Sequence, residues 1–261
     1  MKSSSPNPPT VPAEPKWFVD CFDEAYIDLD VLRHFPDRNR LEVDQLIRRL
    51  DIQKHESWLD VCCGYGRHLL PLVARGHEVT GLDLSSAMIR RLRAAAQRNG
   101  LTAPVLQCDM RRIPFHDFFH GAFLLGTSFG VFDDPRQDAL ALDSIRRALR
   151  TGGKFLLDQV NPAILLADPA AQKKEIRIKE QWIREEIIPI PERGQYIVQR
   201  TLRRGSWERQ WRMRFRAYDV AQLTASMLKA GLSPIDLFGS LDGRPFKPES
   251  PRIVLLAVRR D

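Results

Sequence analysis

Six residue positions concentrate the chemistry in this chain. In "WLDVCCGYGRHL" an acidic residue, Asp60, is followed by Cys62, Gly64 and Gly66. Asp83 sits in "VTGLDLSSAM" and Asp109 in "VLQCDMRRIPF", each just after a short apolar run. Adjacent cysteines such as Cys62 and Cys63 lack the two-residue spacer of zinc ribbons and thioredoxin-like redox pairs, and no second Cys/His pair has matching spacing. No metal site is expected, and Cys63 reads as a small residue at a strand end. Gly64-x-Gly66 after a strand and before a helix fits a dinucleotide loop better. However, the third glycine, which lets the helix pack close beneath a pyrophosphate, is replaced by Leu69.

The surrounding pattern must position these residues. The runs "WLDVC", "EVTGLDL", "PVLQCDM", "GAFLLGT" and "KFLLDQV" alternate with helical segments. Ser85 or Ser86 and Asp134-Pro135 supply helix starts, and Gly100 and Gly152 supply stops. Such alternation implies right-handed crossovers and a mainly parallel, doubly wound α/β sheet covered on both faces. Ahead of it, aromatic and acidic residues at helical spacing predict one or two helices over 15–35. In "NRLEVDQLIRRLDI", Leu41, Val43, Ile47 and Leu50 share a helix face.

After Asn161-Pro162 the alternation stops. In "WRMRFRAY", Trp211, Met213, Phe215 and Ala217 point one way and Arg212, Arg214 and Arg216 the other, the period of a strand with one apolar face. Residues 163–218 read as a β-rich antiparallel insert, a lid or a dimer sheet. Helix 219–230 and two antiparallel final strands return to the main domain, which spans 15–162 plus 219–261. Residues 1–14 read as a disordered tail: the first sixteen residues hold five prolines and no apolar core, which also excludes a secretory signal.

The three acidic strand ends, in order, resemble the class I S-adenosylmethionine (SAM)-dependent methyltransferases, whose first motif reads roughly acidic-x-Gly-x-Gly-x-Gly. Asp60, Gly64 and Gly66 match, and Cys62 replaces the first glycine. The resemblance implies a Rossmann-like, seven-stranded sheet with an antiparallel last strand. It also implies cofactor roles. Asp60 orders the loop or reaches the amino-acid end, and Asp83 takes the ribose hydroxyls. Leu84 packs on adenine, Asp109 and Met110 hold the adenine amino group and face, and Leu125 lines the amino-acid end. S-adenosylhomocysteine (SAH) would be the product.

The acceptor is less legible. In-line methyl transfer needs alignment and exclusion of water more than a fixed catalytic group, so no catalytic residue is assigned. His68 and His116 could serve as bases near neutral pH. Neither the Asn/Asp-Pro-Pro-aromatic tetrapeptide nor the Pro-Cys loop of base-methylating enzymes is present, so the resemblance points to transfer to a nitrogen or oxygen of a small molecule. Trp17, Tyr26, Thr127, Phe129 and Asn161 are the candidate acceptor-side residues.

Residues 170–218 hold 13 Lys+Arg against 6 Asp+Glu, the whole of the net charge of +7. An RNA methyltransferase using that basic insert is therefore an alternative. An NAD-type oxidoreductase and a non-catalytic cofactor-binding protein are further alternatives. Four scattered cysteines suit reduced thiols in a cytoplasm, and the lack of a long apolar run argues against a membrane span. A homodimer through the insert is a further expectation.

Overall fold

The computed structural model describes residues 17–33, 36–167, 172–178 and 180–260. The expected tail, 1–14, lies outside them. The chain order is α1(Trp17–Asp20), α2(Glu24–Arg33), α3(Pro36–Leu50), β1(Ser57–Val61), α4(Leu69–Ala74), β2(Glu78–Asp83), α5(Ser86–Arg98), β3(Val105–Gln107), β4(Phe119–Leu124), α6(Pro135–Ala148), β5(Leu149–Val160) and α7(Pro162–Ala167). It continues with β6(Lys173–Ile178), β7(Gln181–Ile190), β8(Gln195–Arg204), β9(Trp207–Arg216), α8(Val220–Lys229), β10(Leu232–Phe238) and β11(Arg252–Arg259).

Seven strands form one sheet in the order β10-β11-β5-β4-β1-β2-β3. The β1–β5 neighbours pair parallel, and β11 runs antiparallel to both β5 and β10. β4 lies between β1 and β5, so the strand order reverses beside β1. In open α/β sheets that crevice, beyond the carboxyl ends of the strands, is where ligands bind. Helix caps set the entry angles. Ser85 accepts the Met88 N–H at 3.2 Å, and Asp134 accepts the Arg136 N–H with Pro135 in the first turn. Asp219 and Gln222 form a reciprocal capping box on α8.

One face of the sheet packs against Val43, Leu46 and Leu50 of α3 and Leu69 and Leu72 of α4. Burial of each such leucine stabilises by about 1.5–3 kcal/mol relative to exposure. The apolar face of α3 therefore runs through 43, 46 and 50, whereas Leu41, expected on it, is 62% exposed. The other face packs against α6 and α8 and joins the insert. α7, between β5 and the insert, was not anticipated.

The insert is a four-stranded antiparallel sheet, β6-β7-β8-β9. What reads in sequence as one strand-like stretch, "EIRIKEQWIREEIIPI", is two strands, β6 and β7, paired antiparallel. Gly194 and Gly205 turn at φ +58°, where a side chain would be strained. Trp211, Met213 and Phe215 are buried among Leu59, Val61, Met88 and Met110, so insert and main sheet share one core.

Candidate cofactor and acceptor site

The loop after β1 is shaped by backbone conformation. Cys62, Gly64 and Gly66 all lie at positive φ, +58°, +57° and +87°. A Cβ on Gly66 would meet Leu70 Cγ at 2.9 Å and Leu92 Cγ at 3.0 Å, so glycine is required there by both conformation and space. Cys62 occupies the same left-handed region with a side chain, at a cost of about 1–2 kcal/mol. Its Sγ lies 3.8 Å from Met110 Sδ. The thiol thus turns toward the turn after β3.

Asp83 closes the loop from the end of β2. Its Oδ2 accepts the Gly64 N–H at 2.9 Å and its Oδ1 the Ser85 N–H at 2.8 Å. An ionised carboxylate has about four acceptor positions; the Leu84 N–H also bears on it, which leaves room for a hydroxyl donor. Burial pushes the Asp83 carboxyl up, opposed by these backbone hydrogen bonds. Asp60 is 3% exposed, and its Oδ2 has no hydrogen-bond partner. Burial, and secondarily the charge of Asp83, push its carboxyl well up, with Arg67 opposing. A buried carboxylate oxygen without a partner is costly, and an ammonium group would relieve it.

Asp109 and Met110 follow β3. Asp109 caps a single 3₁₀ turn by accepting the Arg111 N–H at 2.9 Å, and its carboxylate also takes the Arg111 guanidinium from both sides. Burial works to raise this carboxyl, but the Arg111 contacts prevail and hold it below the usual range. Arg111 in turn lies 4.5 Å over the Phe132 ring and donates to Gln137 at 2.7 Å. Met110 is buried beside Cys62, and Leu84 is partly exposed at the end of β2. Leu125 is buried in the cluster beneath α3 and α4.

The acceptor-side candidates divide. Thr127, a β-branched residue at φ +66°, follows Gly126 at φ +74°. Asp158 and Arg252 pin this turn. Gly126 N–H donates to Asp158 Oδ2 at 3.0 Å, Thr127 N–H to the Asp158 carbonyl at 3.1 Å, and Arg252 Nη2 to Thr127 Oγ1 at 3.3 Å. Arg252 binds the Asp158 carboxylate with Nε and Nη2. Phe129 is buried and packs against Tyr218 in a tilted ring pair, centroids 5.3 Å apart. Asn161 is committed to the chain, donating to the Pro248 and Ser250 carbonyls and accepting from Ala163 N–H.

Trp17 and Tyr26 bridge the N-terminal helices to the insert. Trp17 lies 5.4 Å from Phe215, and Tyr26 lies 5.9 Å from Trp211 and accepts from Arg200. Phe18 meets Phe132 edge-on at 5.2 Å. His68 is buried and 2.9 Å from Glu42, with burial pushing it below the usual histidine range against the pull of Glu42. His116 is exposed before the start of β4, at the opposite end of the sheet from the Gly64–Gly66 loop.

A methyltransferase-domain family model matches residues 59–153. The match to a methyltransferase domain runs from β1 into β5, the stretch that holds the cofactor loop and the three acidic strand ends. Among solved structures, a SAM-dependent methyltransferase from Clostridium acetobutylicum ATCC 824 aligns at TM-score 0.74 with 15% identity, covering 85% of this chain and 92% of that one. The sugar N-methyltransferase KedS8 from Streptoalloteichus sp ATCC 53650 aligns at TM-score 0.67 with 23% identity over 100% of this chain and 98% of that one. Among curated proteins, the 23S rRNA (uracil(1939)-C(5))-methyltransferase RlmD of Ralstonia pickettii (strain 12J) is 31% identical over 141 residues, 50% of this chain. The match spans 31% of that relative's length.

The residues present fit S-adenosylmethionine, the cofactor named for the similar Clostridium structure. The unpartnered Asp60 oxygen suits its ammonium, and the room left on the Asp83 carboxylate suits a ribose hydroxyl. Sequence reading missed Asp158 and Arg252 because the pair joins strands 94 residues apart. The alternation of β5 gives Asp158 no distinguishing spacing. Among the described residues no group of His, Cys, Asp and Glu could hold a metal ion, and no helix is long and apolar enough to cross a membrane.

Proposed function

We propose that the protein transfers the methyl group of SAM to a nitrogen or oxygen of a small molecule. The sulfonium supplies an activated methyl group with a good leaving group. The acceptor lone pair forms the new bond, the carbon–sulfur bond's electrons go to sulfur, and the acceptor proton is lost to water or base. This chain's contribution is to hold both partners in line and dry.

The observation that carries this reading is the insert. Its apolar face belongs to the buried cluster against which Cys62 and Tyr65 of the loop after β1 pack. Its arginines are largely engaged by the protein's own acids: Arg200 with Glu185, Arg203 with Glu208, Arg209 with Asp23 and Arg214 with Asp133. Cations already paired release fewer counterions on a phosphate backbone. The likeness to a sugar N-methyltransferase over the whole chain, insert included, supports the same reading.

The rRNA-acting relatives favour a second reading, RNA methylation. Carbon 5 of uracil becomes nucleophilic only after a thiolate adds to the ring, so that chemistry needs a lowered thiol pKa. Burial instead raises all four thiols here: Cys21 is pushed up to about 12, and Cys62, Cys63 and Cys108 shift the same way. This argues against uracil C5 as the target.

The test supplies tritiated SAM with a panel of small amines and alcohols, and separately with an rRNA transcript at 50 and 200 mM salt. Label in a small molecule is the expected result. Label confined to RNA, with activity falling steeply between the two salt concentrations, would overturn the small-molecule reading.

A further inference from the structure

A cavity of about 450 Å³ opens where the insert meets the segment between β4 and α6, lined by Asp133, Asp134, Arg193, Gln195 and Arg216. Its volume lies in the range of small-molecule sites. Gln195 and Arg216 face each other across the β8–β9 pair. Gln195 is 4% exposed, yet its Oε1 has no hydrogen-bond partner. Arg216 Nε is likewise buried and pairs ionically with Asp138 Oδ2 at 3.5 Å. Asp138, 1% exposed behind it, takes the Tyr218 hydroxyl on Oδ2 at 2.9 Å and leaves Oδ1 without a partner.

Two buried acceptor atoms on neighbouring side chains, Gln195 Oε1 and Asp138 Oδ1, thus lack partners, where nearly all such atoms are paired. Arg216 supplies the donor beside them. The lining carries two carboxylates and two guanidiniums, so it favours no strongly charged ligand. The rim acids are already engaged, Asp133 by Arg214 and Asp134 by Arg136 and the start of α6. Arg216 is itself fixed, with Nη2 donating to the Asp133 carbonyl at 2.7 Å. Planar amide and guanidinium groups that offer both acceptor and donor match vicinal hydroxyls, each of which gives one hydrogen bond and takes another.

We propose that this cavity seats a neutral, polyhydroxylated molecule through Gln195 and Arg216, with Asp138 behind them. Its place connects it to the transfer site. Phe129, in the segment leading from β4 to Asp133, packs against Tyr218, the partner of Asp138. On the methyl-transfer reading, on which this assignment of role rests, the cavity holds the hydroxyl-bearing body of the acceptor while its reacting atom lies toward the loop after β1.

The test uses the full chain loaded with SAH, titrated with methyl α-D-glucoside and, as the control, with 1-hexanol, and followed by NMR. The glucoside is expected to bind at roughly millimolar Kd, shifting the Gln195 side-chain amide and the Arg216 Nε–H, while hexanol leaves both in place. Gln195→Leu and Arg216→Met should each weaken the glucoside about tenfold, the loss expected for one unpaired buried group, with SAH affinity unchanged. Absent shifts at those resonances, or wild-type glucoside affinity in both folded variants, would overturn the proposal. Failure of SAH to bind while the glucoside still does would count against methyl transfer and leave the cavity assignment standing.

Discussion

The Asp83 carboxylate accepts the Gly64 backbone N–H at 2.9 Å and so ties the end of β2 to the loop after β1. One side chain therefore holds the loop's shape and keeps an acceptor position for the cofactor. Asp83→Ala is expected to weaken SAH roughly 10–100-fold by calorimetry, since each charge-assisted hydrogen bond contributes about 1.5–3 kcal/mol. Unchanged affinity would contradict the ribose role.

Cys62 tests the cost of its left-handed backbone. Cys62→Gly removes about 1–2 kcal/mol of strain but adds about 0.5–1 kcal/mol of unfolded-state entropy. Urea unfolding should therefore place it within about 1 kcal/mol of the parent, with SAH binding retained. Cys62→Val, which puts a β-branched side chain at φ +58°, should lose more stability than the glycine variant gains. Equal stability of the two would show that the strain is absent in solution.

Arg252 and Asp158 form a buried pair in which Asp158 is 3% exposed. Arg252→Met leaves that carboxylate uncompensated and should cost about 3–5 kcal/mol. Adding Asp158→Asn to the same chain should recover part of the loss, a coupling that a double-mutant cycle measures. Additive losses would mean that the pair does not act as a unit in holding the Thr127 turn.

Asp138 gives stability a pH dependence of unusual sign. Burial pushes its carboxyl up to about 6 from 3.8, against the opposing hydrogen bond of Tyr218 and the charge of Arg216, with Asp134 adding slightly to the rise. The folded chain then binds more protons than the unfolded one between these values, so this group's contribution falls as pH rises through that window. Asp109 and Glu42, both depressed, slope the other way over their own ranges. The difference between parent and Asp138→Asn isolates the group. The variant should be more stable by about 1–3 kcal/mol at pH 8, with the advantage gone near pH 4. A pH-independent difference in urea midpoints would refute it.

The sheet and its helices were legible because their signals are local. Alternating apolar runs, Ser85 before α5, Asp134-Pro135 before α6 and Asp219 before α8 act within a few residues. The loop after β1 was legible for the same reason, since its glycines mark positive φ in the chain itself. The insert's strands were legible from the alternation in β9. The Leu41 expectation failed because, at about 100° per residue, position 41 lies about 200° from Val43 and about 180° from Leu50, on the opposite side of α3.

The amino-acid sequence alone determined the elements, the order of the acidic strand ends and the concentration of positive charge in the insert. Partnerships across the fold were left to the tertiary structure. Arg111, two residues after Asp109, takes that carboxylate, and Glu42 reaches His68 from another helix. Asp158 waits 94 residues for Arg252, and the arginines of the insert find acids that sequence position does not bring near. Local patterns set backbone conformation through short-range sterics and hydrogen bonding. A buried charge finds its partner only when packing fixes which side chains share a low-dielectric interior.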